Sequence, residues 1–285
     1  MSTVSELLSQ AVAQLKQNES QADDANADAG LLLGHVLQKS SAWLMTWPTK
    51  DVSDFDAKTF LKLVSKRQSG TPLAYLLGEW GFMDFMLKVG PGVLVPRPET
   101  ELLVELAADR IPQAANWNIL DLGTGSGAIA TALARLRPNS QLHAVERSQH
   151  AADIAQSNFD SLAPSVKLHL GSWFEPLLQQ DGPNNQFEII VSNPPYIAEY
   201  ELELEYLTEE PQEALVAAED GLADIAHIVE NSRPHLKESG WLLIEHGYGQ
   251  GDAAQKLLTD AGFKDVETVL DLNSLPRVTL GRWIA

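Results

Sequence analysis

The chain has 285 residues, of which 44% are hydrophobic, so it is long enough for about two average domains and can bury a sizeable core. Asp and Glu number 39 against 20 Lys and Arg, which gives a formal net charge of -19 without any cluster of basic residues. Because binding to nucleic acid requires a basic surface, we expect no direct nucleic-acid binding. The absence of Cys excludes disulfides, thiolate nucleophiles and cysteine-based metal sites.

The first residues and the hydropathy pattern predict a cytoplasmic protein that makes no membrane contact. Residues 1–6 lack the basic and apolar regions of a secretory signal, and no apolar run approaches the ~20 residues that span a bilayer. The seven His residues are scattered without the spacing of metal ligands, so we expect no metal site.

Residues 1–72 are predicted to form a small all-helical bundle. Apolar side chains recur at helical spacing in three stretches, over residues 7–15, 31–37 and 60–67. Ser2 or Thr3 together with Glu6 fits a capping box, in which a hydroxyl and a carboxylate bind the free backbone N–H groups at a helix start. The position of this segment ahead of the remaining chain suggests a module that docks the substrate.

Residues 73–97 are richer in aromatic residues and Gly, and they are predicted to connect two domains. Short apolar runs over 85–89 and 93–95 flank the turn signal Gly90-Pro91-Gly92, so we expect the two runs to pair as a β-hairpin. The string Arg-Pro-Glu-Thr-Glu over residues 97–101 then opens an amphipathic helix to about residue 109. Its acidic residues fall in the first turn, where the helix dipole favours them.

Strands and helices alternate from residue 98 to residue 285. This order predicts an α/β domain with a parallel sheet, right-handed crossovers and helices on both faces. Strands are predicted over 118–122, 141–145, 166–170, 187–191, 241–245, 266–269 and 278–283. Helices are predicted over 127–136, 150–162, 222–236 and in the stretch that ends near 261.

The sequence Leu-Asp-Leu-Gly-Thr-Gly-Ser-Gly-Ala over residues 120–128 predicts a strand that runs through a glycine loop into a helix. Glycine is needed where the backbone turns at positive φ and a ligand approaches the chain closely. Glu146 ends the next strand, 23 residues after Gly123, where a carboxylate can accept both hydroxyls of an adenosine ribose. Taken alone, Gly123, Gly125 and Ala128 also fit a dinucleotide-binding pattern.

A second loop begins where the apolar strand over 187–191 stops at Asn193-Pro194-Pro195-Tyr196. Two prolines cannot donate to a strand ladder, so the chain forms a stiff loop at the carboxyl end of the strand, where open α/β sheets bind ligands. The Asn193 side-chain oxygen and the Pro194 carbonyl can each accept one hydrogen of a planar NH2 group, on which Tyr196 can stack. An acidic segment over 199–210 follows and is either a solvated loop or a lid over the substrate.

These two loops resemble functional sites of methyltransferases. Asp121 ahead of a Gly-x-Gly-x-Gly loop is similar to the S-adenosylmethionine site of Rossmann-like methyltransferases, and this favours a methyltransferase over a dinucleotide oxidoreductase. The Asn-Pro-Pro-Tyr loop resembles that of enzymes that methylate NH2 groups conjugated to a π system, in adenine, guanine or glutamine. The cofactor-binding residues that this resemblance implies are Asp121, Gly123, Thr124, Gly125, Ser126, Gly127, Glu146, Trp173 and Asn193.

Almost the whole chain resembles the HemK/PrmC-type protein-glutamine methyltransferases, which methylate the glutamine of the Gly-Gly-Gln motif in class 1 peptide-chain release factors. The resemblance rests on the helical N-terminal segment, both loops, Val-Pro-Arg-Pro-Glu-Thr-Glu over 95–101, Glu-His-Gly over 245–247 and Arg-Val-Thr-Leu-Gly-Arg over 277–282. The string at 97–101 favours the release-factor enzyme over its relative that acts on a ribosomal protein. Two departures are Glu146, where Asp is common, and Ser172, where an acidic residue is expected near adenine.

The resemblance implies a Rossmann-like class I methyltransferase sheet that uses S-adenosylmethionine without a metal and has class 1 release factors as partners. It makes Asn193, Pro194 and Tyr196 catalytic, and it makes Asn193, Pro194, Pro195 and Tyr196 substrate-binding. Arg97 and Glu99 either form an ion pair or border the acceptor pocket. The alternatives are the same chemistry on a ribosomal-protein glutamine, a DNA or RNA amino-methyltransferase, and a cofactor-binding regulatory protein without activity.

Overall fold

The computed structural model describes residues 2–18, 22–178, 186–200 and 209–284. The chain divides into two compact units with the boundary between Glu79 and Trp80, and the predicted limits at residues 72 and 97 stay predictions. Most of the predicted acidic segment, residues 201–208, lies outside the described residues. In the described part of the chain, no helix combines the length and the apolar character needed to cross a membrane.

The first unit consists of helices that pack around a common apolar core. Its helices are α1 (Val4–Leu15), α2 (Ala25–Leu37), α3 (Ser41–Thr46), α4 (Asp54–Gln68) and α5 (Leu73–Leu77). Leu7 of α1, Leu32 of α2 and Phe60 of α4 are fully buried, and these three helices contact one another. The three predicted helical stretches therefore present their apolar faces to the same core.

The predicted capping box at the start of α1 is confirmed. The Thr3 backbone N–H donates to the Glu6 carboxylate at 2.8 Å, and the Glu6 backbone N–H donates to the Thr3 hydroxyl at 3.3 Å. The expectation that this unit is all-helical is wrong in one detail, because β1 (Ser2–Thr3) pairs with β2 (Asp51–Val52) as a two-residue antiparallel ladder.

The predicted pairing of residues 85–89 with 93–95 is wrong, although the first of these runs is a strand of a different hairpin. β3 (Glu79–Phe82) pairs with β4 (Phe85–Lys88), whereas residues 93–95 form no strand. The Val95 backbone N–H is bound by the Glu210 carboxylate at 3.0 Å, and Pro96 has no N–H to offer. The segment after Gly90-Pro91-Gly92 therefore cannot supply a ladder of donors to β4.

Within the described residues of the second unit, seven strands form one sheet in the order β10-β11-β9-β8-β5-β6-β7. The strands are β5 (Asn118–Leu122), β6 (Gln141–Glu146), β7 (Lys167–Leu170), β8 (Phe187–Ser192), β9 (Leu236–Glu245), β10 (Lys264–Leu270) and β11 (Pro276–Arg282). All seven predicted strands are confirmed. The expectation of a wholly parallel sheet is wrong, because β11 runs antiparallel to both β9 and β10. No helix separates β10 from β11, and the short connection permits only an antiparallel return.

Helices lie on both faces of the sheet, and they account for each predicted helix. They are α6 (Thr100–Arg110), α7 (Ala128–Leu136), α8 (Gln149–Leu162), α9 (Glu175–Leu178), α10 (Ala218–Gly221), α11 (Ala223–Ser232) and α12 (Gly251–Asp260). The helix predicted to reach residue 236 ends at Ser232 and continues as a 3-10 turn, Arg233–His235. Pro234 lies in that turn and cannot donate the backbone hydrogen bond that would extend α11.

Candidate active site

The residues predicted to carry the chemistry follow a single row of paired strand residues. Ser192 of β8 pairs with Leu122 of β5 on one side and with Ile244 of β9 on the other. Leu122 also pairs with Val145 of β6. The next residues along these four parallel strands are Glu245, Asn193, Gly123 and Glu146. They all lie at the carboxyl edge of the sheet, at the point where the strand order reverses and where open α/β sheets bind ligands.

An open cleft lies at this edge of the sheet. It brings both predicted loops together. The predicted site residues in its wall are Arg97, Gly123, Thr124, Gly125, Ser126, Glu146, Trp173, Asn193 and Pro195. The other predicted site residues lie off this wall, and they are Glu99, Asp121, Gly127, Pro194 and Tyr196.

Two glycines of the loop after β5 serve different purposes. Gly125 has φ +56° and lies in the cleft wall, and a Cβ built there would meet no atom within 4 Å. Gly127 has φ +85°, and a Cβ built there would lie 2.7 Å from the ring of Phe159. Gly125 therefore keeps ligand space open, whereas Gly127 lets the start of α7 pack against α8.

Asp121 lies behind the loop and shapes it. Its Oδ2 accepts a hydrogen bond from the Thr124 hydroxyl at 2.6 Å and one from the Ala130 backbone N–H at 3.2 Å. Among the described residues, no group donates to its Oδ1. Burial raises the pKa of the Asp121 carboxyl to about 7, although the two hydrogen bonds oppose this rise. Asp121 thus acts on the cleft through Thr124, which lies in its wall.

Glu146 is 8% exposed and is fixed by backbone donors on both sides. Its Oε2 accepts from the Gly125 N–H at 2.9 Å, and its Oε1 accepts from the Ser148 N–H at 2.8 Å. Each carboxylate oxygen has a further lone pair, so two hydroxyl donors from a ligand can still be bound. This arrangement joins the glycine loop to the acidic residue that the sequence paired with it.

Trp173 forms a second part of the wall, next to the glycine loop. Its backbone has φ +46°, a strained conformation for a residue with a Cβ. A Cβ built on Gly123 would lie 3.5 Å from its indole ring, so the ring lies directly against the loop. Ser172 also lines the cleft and presents a hydroxyl where the family resemblance leads one to expect a carboxylate.

The Asn193 amide is oriented by a neighbouring helix. Its Nδ2 donates to the hydroxyl of Thr100, the first residue of α6, at 3.1 Å. The NH2 end of the amide is thereby bound within the protein, and the side-chain oxygen remains available as an acceptor. Asn193 and Thr100 both lie in the cleft wall, and Pro194 beside them is buried.

Tyr196 is directed away from solvent. Its hydroxyl donates to the Glu245 carboxylate over a long distance of 3.5 Å, and its backbone carbonyl accepts from the Gln250 side chain at 2.9 Å. Burial raises the pKa of the Tyr196 phenol above its usual range, and the charge of Glu245 adds to this. The phenol therefore stays protonated and supplies no base.

Arg97 pairs with Glu210 and not with Glu99. The Arg97 guanidinium donates to Glu210 Oε1 at 2.6 Å, and Arg97 also lines the cleft. Glu99 is the residue before α6, and its negative charge helps to raise the pKa values of Tyr196 and Glu245. Arg97 thus borders the cleft, whereas Glu99 lies off its wall, and the role of Glu99 stays a prediction.

Comparison with known proteins places this site in a family. Residues 6–78 match the PrmC N-terminal domain, and residues 98–271 match the methyltransferase small domain. The chain is 44% identical to the release factor glutamine methyltransferase of Vibrio cholerae serotype O1 over 99% of this chain and 97% of that protein. It is 42% identical to the Escherichia coli (strain K12) enzyme of the same name over 97% of each chain. The chain belongs to the release factor glutamine methyltransferases.

The solved structures agree with the fold of this family. A methyltransferase from Pyrococcus furiosus superimposes with a TM-score of 0.52 over 70% of this chain and 89% of that one, at 16% identity. At this level of identity the likeness shows the fold alone. The membership of the release factor glutamine methyltransferases removes the dinucleotide oxidoreductase that the glycine pattern had left open.

Sequence reasoning missed several residues of the cleft in this methyltransferase. Thr100 and Arg147 line it, and Glu245 lies buried beside it. Arg147 directly follows Glu146 and donates to the Glu213 carbonyl at 2.7 Å. The available signals were the position of Glu245 in the row described above and that of Arg147 directly after β6. Thr100 had no such signal, because only the fold brings α6 to β8.

The residues of the wall fit S-adenosylmethionine. The open space at Gly125, the fixed carboxylate of Glu146 and the aromatic face of Trp173 match the backbone contact, the ribose and the adenine that such a ligand presents. Among the described residues, no group of three or more His, Cys, Asp or Glu side chains is arranged to hold a metal ion.

Proposed function

We propose that this methyltransferase transfers a methyl group to the side-chain amide nitrogen of the glutamine in the Gly-Gly-Gln motif of class 1 peptide-chain release factors. The observation that carries the proposal is the Asn193 amide in the cleft wall, whose NH2 end is bound to Thr100. The names of the relatives support the same substrate. The reaction then belongs to translation termination, which places it in the cytoplasm.

S-adenosylmethionine, held by the glycine loop, Glu146 and Trp173, supplies an electrophilic methyl carbon on a sulfonium. The proposed contacts are the Gly125 and Thr124 backbone, which borders the open space of the cleft, and the Glu146 carboxylate on the ribose hydroxyls. Asp121 and Gly127 contribute by fixing the loop and the start of α7. The remaining wall residues that we assign to the cofactor are Gly123, Ser126 and Asn193.

A glutamine amide is a poor nucleophile because its nitrogen lone pair is delocalised into the carbonyl. The Asn193 side-chain oxygen and the Pro194 carbonyl are suited to accept its two N–H hydrogens. These bonds hold the nitrogen in place and favour the positive charge that develops on it during attack. The methylated nitrogen is then strongly acidic and loses its proton to water, so the site needs no His, Lys or carboxylate base.

The other predicted substrate residues surround this pair of acceptors. Pro195 and Arg97 lie in the cleft wall, and Glu99 lies directly before α6. We assign Tyr196 to the aromatic face of the acceptor pocket, because its protonated phenol is already bound to Glu245. The net charge of -19 supports a protein substrate over a nucleic acid, and we assign substrate docking to the helical first unit.

Mass spectrometry of a purified class 1 release factor tests this function. The factor is incubated with the protein and S-adenosylmethionine, beside the same factor with the motif glutamine changed to alanine. We expect a gain of one methyl group on that glutamine and none on the variant. Absence of the gain, with cofactor binding confirmed by calorimetry, would refute the proposed substrate and direct the search to ribosomal proteins and then to nucleic acids.

A further inference from the structure

The amide of Asn193 has one contact that decides which of its ends faces the acceptor. Its Nδ2 donates to the Thr100 hydroxyl at 3.1 Å. Thr100 is 5% exposed and is the first residue of α6, so a rigid element holds the hydroxyl in place. Without this hydrogen bond to Thr100, the Asn193 amide could rotate and turn its NH2 group toward the substrate.

A buried carboxylate, that of Glu245, lies behind Thr100 and has no part in the methyl transfer proposed above. Glu245 is 0% exposed, and it ends β9 in the strand next to the one that leads into Asn193. The Thr100 hydroxyl is close enough to its carboxyl group to favour the charged form, and the Tyr196 hydroxyl donates to its Oε1 over a long distance of 3.5 Å. Among the described residues, its Oε2 lacks a hydrogen-bond partner. A buried carboxylate with so few partners is costly to keep, which points to a role beyond packing.

We propose that Thr100 and Glu245 are positioning residues for methyl transfer, which hold the Asn193 side-chain oxygen toward the glutamine amide. The inference rests on the proposed function of Asn193. If the Thr100 hydroxyl donates its hydrogen to Glu245, its lone pair remains for the Asn193 NH2 group. The Asn193 amide then cannot exchange the positions of its oxygen and nitrogen. The negative charge of Glu245 also polarises the chain of hydrogen bonds and makes the Asn193 oxygen a stronger acceptor.

The ionisation of Glu245 gives this arrangement a pH signature. The pKa of the Glu245 carboxyl is raised to about 7, mainly by burial and to a smaller extent by the negative charge of Glu99, while Thr100, Arg277 and Tyr196 oppose the rise. When protonated, the carboxyl can donate to Thr100 and no longer fixes the direction of its hydroxyl. Turnover should therefore increase as pH rises through about 7. The neighbouring His246 is bound to Thr279 at 2.8 Å, and burial lowers its pKa, so it titrates below this range.

Steady-state methylation of a release factor by a set of variants tests the inference. Thr100→Val removes the hydroxyl and keeps the shape, whereas Thr100→Ser keeps the hydroxyl. Loss of one hydrogen bond predicts about a tenfold lower kcat for Thr100→Val with unchanged cofactor affinity, and Thr100→Ser should retain most of the turnover. Thr131→Val is the matched control, because Thr131 is also fully buried and its hydroxyl has no partner among the described residues. This control should keep wild-type kcat.

Glu245→Gln supplies a readout that a purely structural role would not change. We expect a lower kcat and loss of the increase in turnover around pH 7 that the wild type shows. A wild-type pH profile that is flat through this range, or one that Glu245→Gln reproduces, would overturn the inference. This comparison also decides the matter if Thr100→Val fails to fold.

Asn193→Ala separates this inference from the proposed function on which it rests. If Asn193→Ala lowers kcat about a hundredfold while Thr100→Val and Glu245→Gln keep wild-type kcat, only the positioning role is refuted. If Asn193→Ala keeps wild-type kcat, the assigned role of the Asn-Pro-Pro-Tyr loop is refuted as well. Calorimetry with S-adenosylmethionine accompanies each variant, so that losses of cofactor affinity are not mistaken for losses of turnover.

Discussion

The Arg97 guanidinium donates to the buried carboxylate of Glu210 at 2.6 Å. The same carboxylate accepts the Val95 backbone N–H through its other oxygen at 3.0 Å. Glu210 therefore ties two points of the segment before α6 to the described end of the acidic segment. Because Arg97 and Pro96 line the cleft, this carboxylate fixes part of the cleft wall from behind.

Two substitutions of Glu210 should separate the contribution of its hydrogen bond to stability from the contribution of its charge. Glu210→Ala leaves the buried Val95 N–H without an acceptor and should lower the free energy of unfolding by about 2 kcal/mol. Glu210→Gln keeps an acceptor oxygen and should cost about half as much. Chemical denaturation measures both values, with the exposed neighbour Glu209→Ala as a control that should change stability by less than ~0.5 kcal/mol. Equal losses for the two Glu210 variants would assign the effect to charge alone.

The fold was predictable where local patterns were unambiguous. The buried run Asn118–Leu122 stops at a glycine loop, and both its ends were predicted correctly. The hairpin was assigned the wrong strand because Gly90-Pro91-Gly92 is a strong turn signal, while Glu79–Phe82 shows weak alternation. Only tertiary contacts reveal that the Val95 N–H is taken by Glu210, which lies 115 residues further along the chain.

The candidate site was predictable to the same extent. Asn193 follows one strand of the sheet and Glu146 ends another. Because parallel strands bring their carboxyl ends to one edge, the sequence alone indicates that the two residues lie together. Thr100 belongs to a helix start, where a threonine needs no further explanation. Its contact with Asn193 joins residues 93 positions apart and depends on how α6 packs beside β8 and β9.

Gly125→Ala should chiefly weaken ligand binding, whereas Gly127→Ala should chiefly lower stability. Both backbones have positive φ, which costs an alanine about 1–2 kcal/mol. Gly127→Ala also collides with Phe159, so its melting temperature should fall further than that of Gly125→Ala. Gly125→Ala places a methyl group at the cleft wall, so it should lose more affinity for S-adenosylmethionine. Thermal denaturation and calorimetry measure the two effects, and the same ranking in both would contradict the separate roles.

Removal of the Glu146 carboxylate should weaken cofactor binding more than turnover. Hydrogen bonds to a charged group contribute about 1.5–3 kcal/mol, so Glu146→Ala should lose at least tenfold in affinity for S-adenosylmethionine. Glu146→Gln keeps one acceptor oxygen and should lose less. Calorimetry gives the affinities, with the exposed Glu230→Ala as control. Unchanged affinity in Glu146→Ala would refute the assignment of this residue to the ribose.

The pair His143 and His169 should make stability depend on pH on the acid side. The two rings lie on adjacent strands and stack with their centroids 5.2 Å apart. His143 Nδ1 lies 3.0 Å from His169 Nε2. Burial, and to a smaller extent the charges of His169 and Lys167, lower the pKa of His143 to about 4. The unfolded chain, with an ordinary histidine pKa, therefore takes up the proton first. The stability that His143 contributes is present above pH 6.5 and is lost as pH falls from 6.5 toward 4.

The substitution His143→Gln should remove this dependence. At pH 8 the variant should be less stable than the wild type, because it loses the stacking on His169 and the edge contact with Phe187. At pH 5 the wild type has lost about 2 kcal/mol from the histidine, so the difference in unfolding free energy should narrow by that amount. Denaturation at both pH values measures the change, and the exposed His35→Gln serves as control. A difference that stays constant between the two pH values would show that His143 is protonated in the folded protein as readily as in the unfolded chain.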